Sequence, residues 1–256
     1  MNDDTKLYFT WAEGFRRGGA NAIYVNLGAD PNLLTYEPDT ATNWEVGFKG
    51  AIKNFATYSI AGFYIDWEGF QFSGTEPVNK NLFVGNGEEA RSVGVESELM
   101  GYLGSHARIS LGYTYTDAEV TEDFLISPGD PATRVSSGDP LPGTPKHMIT
   151  AMIDYTLSVD NASELIFRLN GSYRSKTVNA FNPVDFNYAR IAGFGMLNGA
   201  VTYRRDSWDV SLFIDNLSNE EGATTGLFTP YFPQEMATRQ IARPRTVGLR
   251  FTFGGH

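Results

Sequence analysis

The chain has 256 residues, enough for one large all-β domain or two ordinary ones, and carries a formal net charge of −10. That charge argues against a nucleic-acid partner, because binding phosphates requires a basic surface. With no cysteine in the sequence, disulfides, thiolate metal sites and cysteine nucleophiles are excluded. No stretch approaches 18 consecutive apolar residues, so a transmembrane helix is excluded as well. A transmembrane β-barrel is not, since each of its strands needs only about ten alternating residues.

In chain order the sequence reads as one opening strand, four hairpins and one closing strand. The opening strand spans 6–12. TNWEVGFKGAI (42–52) and TYSIAGFYIDW (57–67) flank KNFA, and ARSVGVESELMGYL (90–103) and ARISLGYTYTDAE (107–119) flank GSH. HMITAMIDYTLSV (147–159) and ELIFRLNGSYRS (164–175) flank DNAS, and GFGMLNGAVTYR (193–204) and WDVSLFIDNL (208–217) flank RDS. The closing strand spans 246–253. The spacing predicts about ten strands, most of them longer than the five or six residues usual in globular sheets. Helical periodicity of comparable length is absent. Upstream of the first strand, MNDDTK has neither the apolar core nor the cleavage site of a signal peptide, so the chain is expected either to be cytoplasmic or to lack its natural N-terminus.

Between the hairpins lie the long segments 13–41, 69–89, 120–146, 176–192 and 218–243, rich in Gly, Pro, Asn and acidic residues. Short turns at one end and long loops at the other are the layout of an outer-membrane barrel. A compact soluble domain rarely carries five loops of this length.

The strands alternate. Val46 and Phe48, Ala61, Phe63 and Ile65, Val95 and Leu99, Leu111, Ile153, Phe167, Val201, Leu212 and Leu249 are assigned to the apolar face. Glu45, Gly47, Lys49, Asp66, Glu96, Glu98, Arg108, Ser110, Thr150, Arg168, Arg174 and Arg250 are assigned to the opposite one. A sandwich shows the same alternation. The aromatics discriminate better: Trp11, Trp44, Trp67, Tyr115 and Tyr173 fall near the loop ends of the apolar face, and Tyr155, Tyr203, Trp208 and Phe253 near the turn ends. Two aromatic belts around an aliphatic band are what a bilayer selects. The expected fold is all-β, an antiparallel transmembrane β-barrel wall.

TWAEGFRRGGAN resembles the "S-x-G-F-R-x-G-G" strand end of TonB-dependent outer-membrane receptors. YEPDTATNWEVGFKG is similar to their "Y-x-P-E-x-x-x-x-Y-E-x-G-x-K" segment, with Tyr36, Pro38, Asp39, Glu45, Gly47 and Lys49 in matching places. RSVGVESEL, GTPKHM, FIDNLSNE and RPRTVGLRFTF follow in the family's order. The resemblance implies that residues 1–256 are the C-terminal portion of a 22-stranded barrel, roughly its last ten strands, without the plug domain and its TonB box. It further implies an outer-membrane location in a Gram-negative bacterium, ligand capture by outer loops, and plug movement powered through the TonB complex. The closing strand would be read by the barrel-assembly machinery, although Gly254, Gly255 and His256 follow the aromatic on which family chains usually end.

Other chemistry finds little support. His106, His147 and His256 have no ligand-type neighbours at short spacing, so no metal site is expected. No nucleophile elbow, phosphate loop or dinucleotide fingerprint is present, and no cofactor is called for. Glu96 and Glu98 share one strand face, but with Arg108, Arg168, Arg174 and Arg250 on the same wall they are expected to form charge pairs in a wet lumen. Asp117, Glu119, Glu122 and Asp123 are read as solvated loop charge. The loop segments 22–36 and 224–236 mix aromatics with Asn, Thr, Gly and Pro, which makes Tyr24, Tyr36, Phe228, Tyr231 and Phe232, together with Arg16 and Arg17, the candidate contacts for a small-molecule ligand; the bland alternative is loop self-packing. The leading functional expectation is uptake of a scarce nutrient, with ferric siderophores ahead of cobalamin and oligosaccharides. A passive ten-stranded diffusion barrel and a barrel-borne enzyme stand as rivals.

Overall fold

The computed structural model describes residues 5–22, 28–53, 55–76, 78, 81–181, 188–228 and 237–254. Ten strands form a single antiparallel sheet in strict chain order: β1 (Thr5–Arg16), β2 (Asp39–Ile52), β3 (Ala56–Glu68), β4 (Glu89–Leu103), β5 (Ala107–Val120), β6 (His147–Ser158), β7 (Ser163–Arg174), β8 (Phe194–Arg205), β9 (Trp208–Asp215) and β10 (Thr246–Phe253). Each strand pairs with the next, and β1 and β10 pair on one side only among the described residues. This up-and-down order places all five long connections at one end. The other end has short turns, which use left-handed residues where the chain reverses: Lys53, Gly104 and Asp206 have φ of 48°, 65° and 50°.

Residues facing each other across antiparallel strands lie on the same face, so the register determines which side chains look outward. The chain Phe9↔Val46↔Gly62↔Val95↔Tyr115↔His147 crosses six strands, and Ile153↔Leu169↔Gly199↔Ile214↔Val247 completes the outer face. It carries the apolar residues expected in nine strands out of ten.

The exception is β3. Trp44↔Tyr64, Val46↔Gly62 and Phe48↔Ile60 put Tyr58, Ile60, Gly62 and Tyr64 outside. Ala61, Phe63, Ile65 and Trp67 therefore face inward, and Asp66 faces outward, opposite to the expectation. In TYSIAGFYIDW both parities are apolar, so alternation within the strand cannot choose between them. The neighbours choose. Phe63 stands opposite Gly94, where a β-carbon would lie 2.5 Å from its ring, so only glycine leaves room for it.

The aromatic belts stand with changed membership: Trp67 leaves, and Tyr64, Tyr113, Tyr58 and Phe251 join. Trp11 and Trp44 are opposite one another, Tyr64 lies 5.8 Å from Trp44, and Tyr113, Tyr115 and Tyr173 continue the loop-side belt. The turn-side belt runs through Tyr58, Tyr155, Tyr203, Trp208, Phe251 and Phe253, with Trp208 stacked on Phe251 at 6.3 Å. Trp67 belongs to neither.

Each long connection holds a small hairpin of its own, such as Gln71–Thr75 with Leu82–Asn86 and Phe124–Leu125 with Arg134–Val135. These short pairings gave no usable alternation in sequence. The buried apolar cluster of the molecule lies here, at the loop end: Ala29, Leu33, Phe70, Phe72, Phe83, Val120, Phe124, Ile126 and Val135 pack together, with Trp67, Leu141 and Phe181 against them. The sheet itself buries little apolar surface. Leu7, Phe9, Val46, Leu111, Leu212 and Leu249 are exposed on a face that only lipid can cover.

Candidate functional site

The loop end is built on one carboxylate. Asp39, the first residue of β2, has only 2% of its side chain exposed. It accepts from the Arg16 backbone N–H at 3.2 Å, from Arg16 Nε at 2.9 Å and from Arg16 Nη2. It also accepts from Trp67 Nε1 at 3.0 Å and from the Gln71 N–H at 2.9 Å. A buried charge is tolerated only when surrounded by donors in this way. The Arg16 guanidinium lies 4.9 Å from the centre of the Trp67 ring and donates to the Gln71 carbonyl at 3.1 Å. The arginine of GFRRGG and the acid of YEPD are thus two halves of one ion pair, which ties β1, β2 and β3 to the connection after β3.

Two amides extend the bracing. Asn86 Oδ1 accepts from the Glu37 N–H at 2.8 Å, and its Nδ2 donates to the carbonyls of Glu37 and Gly69. Asn21 bridges in the same manner to Leu33 and Val84. The described parts of the connections 17–38 and 69–88 are therefore held as one layer.

Above this layer four phenylalanines meet. Phe70 and Phe72 lie 5.5 and 5.2 Å from Phe124, and Phe181 is 5.7 to 5.9 Å from all three. Beside them opens a cleft of about 280 Å³ lined by Trp67, Phe72, Gln71, Ser73, Leu141, Thr144, Asn179 and Phe181, among others. Because Trp67 is on the inward face, the cleft belongs to the lumen side. Larger grooves of about 460 and 750 Å³ lie mainly among lipid-facing residues such as Ile153, Phe167 and Leu212, or Ile60, Leu99 and Leu111.

The sequence-derived candidates fare unevenly. Arg16 is committed to Asp39. Arg17 is exposed, and its carbonyl accepts from Gln71 Nε2 at 3.0 Å. The Tyr36 ring lies against Gly19, where a β-carbon would come within 2.6 Å of the phenol oxygen, which favours loop self-packing. Phe228 ends the strand Ala223–Phe228, its side chain outside the described residues, as are Tyr24, Tyr231 and Phe232 altogether. The cleft aromatics Phe72 and Phe181 were missed. Their sequence signal is faint: FQF and AFN stand in loops, where isolated aromatics have no periodicity to mark them.

The charged wall also differs from expectation. Arg168 forms a two-pronged pair with Asp154, at 2.6 and 3.0 Å. Arg108 Nη2 approaches Met100 Sδ at 3.6 Å, Arg174 and Arg250 lie over Phe194 and Phe213, and none of these arginines pairs with Glu96 or Glu98 among the described residues. The loop acids are dispersed rather than clustered: Glu119 pairs with Arg91 at 2.7 Å, Asp117 with Lys146 at 2.6 Å, and Asp123 with Arg134. Hydrogen bonds to Asp123 from the Ser137 N–H and from Arg134 hold its carboxyl below the ordinary aspartate range.

An apolar outer face between two aromatic belts, long loops gathered at one end and a charged inner wall define an outer-membrane β-barrel wall. The sequence profile described as TonB dependent receptor-like, beta-barrel matches residues 1–217. The chain belongs to the TonB-dependent receptor family, a family of transport receptors of the Gram-negative outer membrane and not of enzymes. The chain is 26% identical to the ferrichrome outer membrane transporter/phage receptor of Escherichia coli K12, over 93% of its own length and 32% of the relative's. It is 24% identical to the ferric-pyoverdine M114 receptor PbuA of Pseudomonas sp. strain M114, over 88% of its length and 25% of the relative's. It spans a quarter to a third of these relatives. In fold it is similar to the ferric yersiniabactin uptake receptor FyuA of Yersinia pestis, with TM-score 0.75 and 18% identity over 99% of this chain and 35% of that one. The siderophore receptor PiuA of Acinetobacter baumannii gives 0.72 and 20%, over 98% and 34%. The family assignment sets aside the diffusion barrel and the barrel enzyme.

Proposed function

We propose that residues 1–256 form the C-terminal arc of a TonB-dependent receptor barrel, and that the complete protein imports a ferric siderophore across the outer membrane. The observation that carries this reading is the braced loop layer, in which the Arg16–Asp39 pair sets Trp67 beside an aromatic and amide-lined cleft on the lumen side. The names of the relatives, which are receptors for ferrichrome and ferric pyoverdine, support an iron chelate as the ligand. Energy would come through the TonB complex acting on a plug outside this chain, and insertion would use the barrel-assembly machinery acting on a strand such as β10. The single-sided edges of β1 and β10 fit an arc of a wider cylinder, because an unpaired backbone group in hydrocarbon costs several kcal/mol, roughly, and must find a partner strand.

The test is uptake of radiolabelled iron by cells whose only receptor is the full-length parent protein. Accumulation that requires a siderophore and stops when the proton-motive force or TonB is removed is the expected result. Energised uptake of cobalamin or of an oligosaccharide, with no iron uptake, would replace the siderophore in this reading.

A further inference from the structure

The lipid-facing wall is not uniform. Between β2 and β6 it holds a groove of about 750 Å³, formed by two rows of outward residues: Tyr58, Leu99 and Leu111 in one, Ile60, Ser97 and Tyr113 in the next. Ile52 borders it on β2 and Ile149 on β6. Ser97 makes the depression, since its neighbours in the row, Ile60 and Tyr113, are both large. Its hydroxyl donates to the Tyr113 carbonyl at 3.4 Å, so the floor makes no demand for a polar ligand. Glu98, which also borders the groove, has inward parity, opposite Ser59 and Gly112. At about 4.8 Å between strands, the groove is roughly 19 Å long from β2 to β6. One leaflet's share of a hydrocarbon core is about 15 Å, so a single acyl chain fits along it.

The two ends of this part of the wall differ in charge. At the loop end, outward Asp66, Glu68 and Glu89 have no cation within 4 Å among the described residues, while Arg91 is held by Glu119 at 2.7 Å and Lys146 by Asp117 at 2.6 Å. At the turn end the sequence is KNF at 53–55 and GSH at 104–106, with no carboxylate. Lys53 directly follows Ile52, is exposed, and has no carboxylate within 4 Å among the described residues. Asp160, in the turn after β6, is turned to its own backbone, accepting from the Ala162 N–H at 2.8 Å. An anionic headgroup is therefore repelled at the loop end and attracted at the turn end, where a cation near the membrane surface favours an anionic lipid. We propose that the groove binds an anionic phospholipid of the turn-side leaflet, its acyl chain lying along Ile60, Ser97, Leu99 and Leu111 and its phosphate at Lys53. The smaller groove of about 460 Å³, over β6–β10, is the internal control. Its turn-side end, at Tyr155, lies toward turns that carry Asp160 and Asp206, and Arg205 is held by Asp206 at 3.8 Å. It takes acyl chains without regard to headgroup.

The test uses the full-length parent folded into phosphatidylcholine bilayers. These contain a trace of phosphatidylglycerol, or of phosphatidylcholine, carrying a photoreactive group in one acyl chain, and labelled residues are mapped by mass spectrometry after irradiation. Within 97–113 the phosphatidylglycerol probe is expected to label about fivefold more than the phosphatidylcholine probe, and within 199–214 the two should label alike. Lys53→Asn, asparagine being accommodated at the φ of 48° found there, should remove the preference at 97–113. Ser97→Phe should reduce labelling there by both probes and leave 199–214 unchanged. Both variants are compared only after heat-modifiable migration shows a folded barrel, and the wild-type ratio stands independently of them. Equal labelling of 97–113 by the two probes in the wild type overturns the proposal, and so does a preference that persists in folded Lys53→Asn. Labelling that Ser97→Phe leaves unchanged overturns the groove as its seat. None of these outcomes bears on the siderophore reading, which concerns the lumen side.

Discussion

Replacing Ile60 and, separately, Phe63 by arginine tests the register of β3 directly, because the two residues are three apart and point to opposite sides of the wall. Ile60 is 46% exposed on the outer face, two residues from Tyr58 of the turn-side belt and four from Tyr64 of the loop-side belt. At about 3.3 Å per residue it lies roughly 7 Å inside the lower belt. An arginine there can partly snorkel, so the penalty should fall in the lower half of the 2–4 kcal/mol range typical of the midplane, about 2–3 kcal/mol. Phe63 faces the lumen over Gly94, where an arginine meets water. Its loss is the ring contact of a half-buried phenylalanine, about 1 kcal/mol. Urea titration of the full-length parent refolded into bilayers measures both, and Ile60→Arg should be the worse by about 1–2 kcal/mol. A larger loss at Phe63 than at Ile60 would refute the register and return β3 to the opposite face.

Arginine at Val46, Val95, Leu111, Ile153, Phe167, Val201 or Leu249 should cost about 2–4 kcal/mol in the same titration, and arginine at lumenal Ser110 or Thr150 much less. Asp39→Ala should loosen the connections 17–38 and 69–88 together, with about 2–3 kcal/mol lost after discounting for the half-exposed Arg16, read as faster amide exchange at both. Since the folded-state carboxyl of Asp123 titrates below its unfolded value, its contribution is fully present above the ordinary aspartate range and is lost as pH falls through the lowered one. Exchange protection of Ser137 should accordingly decline on acidification below that range, and Asp123→Asn should abolish the pH dependence. Protease added to intact cells expressing the parent should cut within 127–145 and 218–243; cleavage in the turns KNFA or RDS would invert the topology.

Legible from the residues alone were the ten strands of the main sheet and their order, the division into short turns and long connections, and the outer face of nine of those strands. The reason is that lipid imposes a demand on every second residue, and the demand is local: Val247, Leu249, Phe251 and Phe253 need no partner to be read as one face. The family motifs were also legible, being short and contiguous. Three matters needed the folded chain. The face of β3 depended on strands on both sides, because its own residues are apolar in both parities and only Gly94 opposite Phe63 and Trp44 beside Tyr64 break the tie. The role of Arg16 depended on Asp39, 23 residues away, whose burial turns a plausible ligand contact into a structural ion pair. The cleft depended on residues 67–73, 141–144 and 179–181 arriving at one end of the sheet, and a site assembled from three separate connections has no periodicity in any of them.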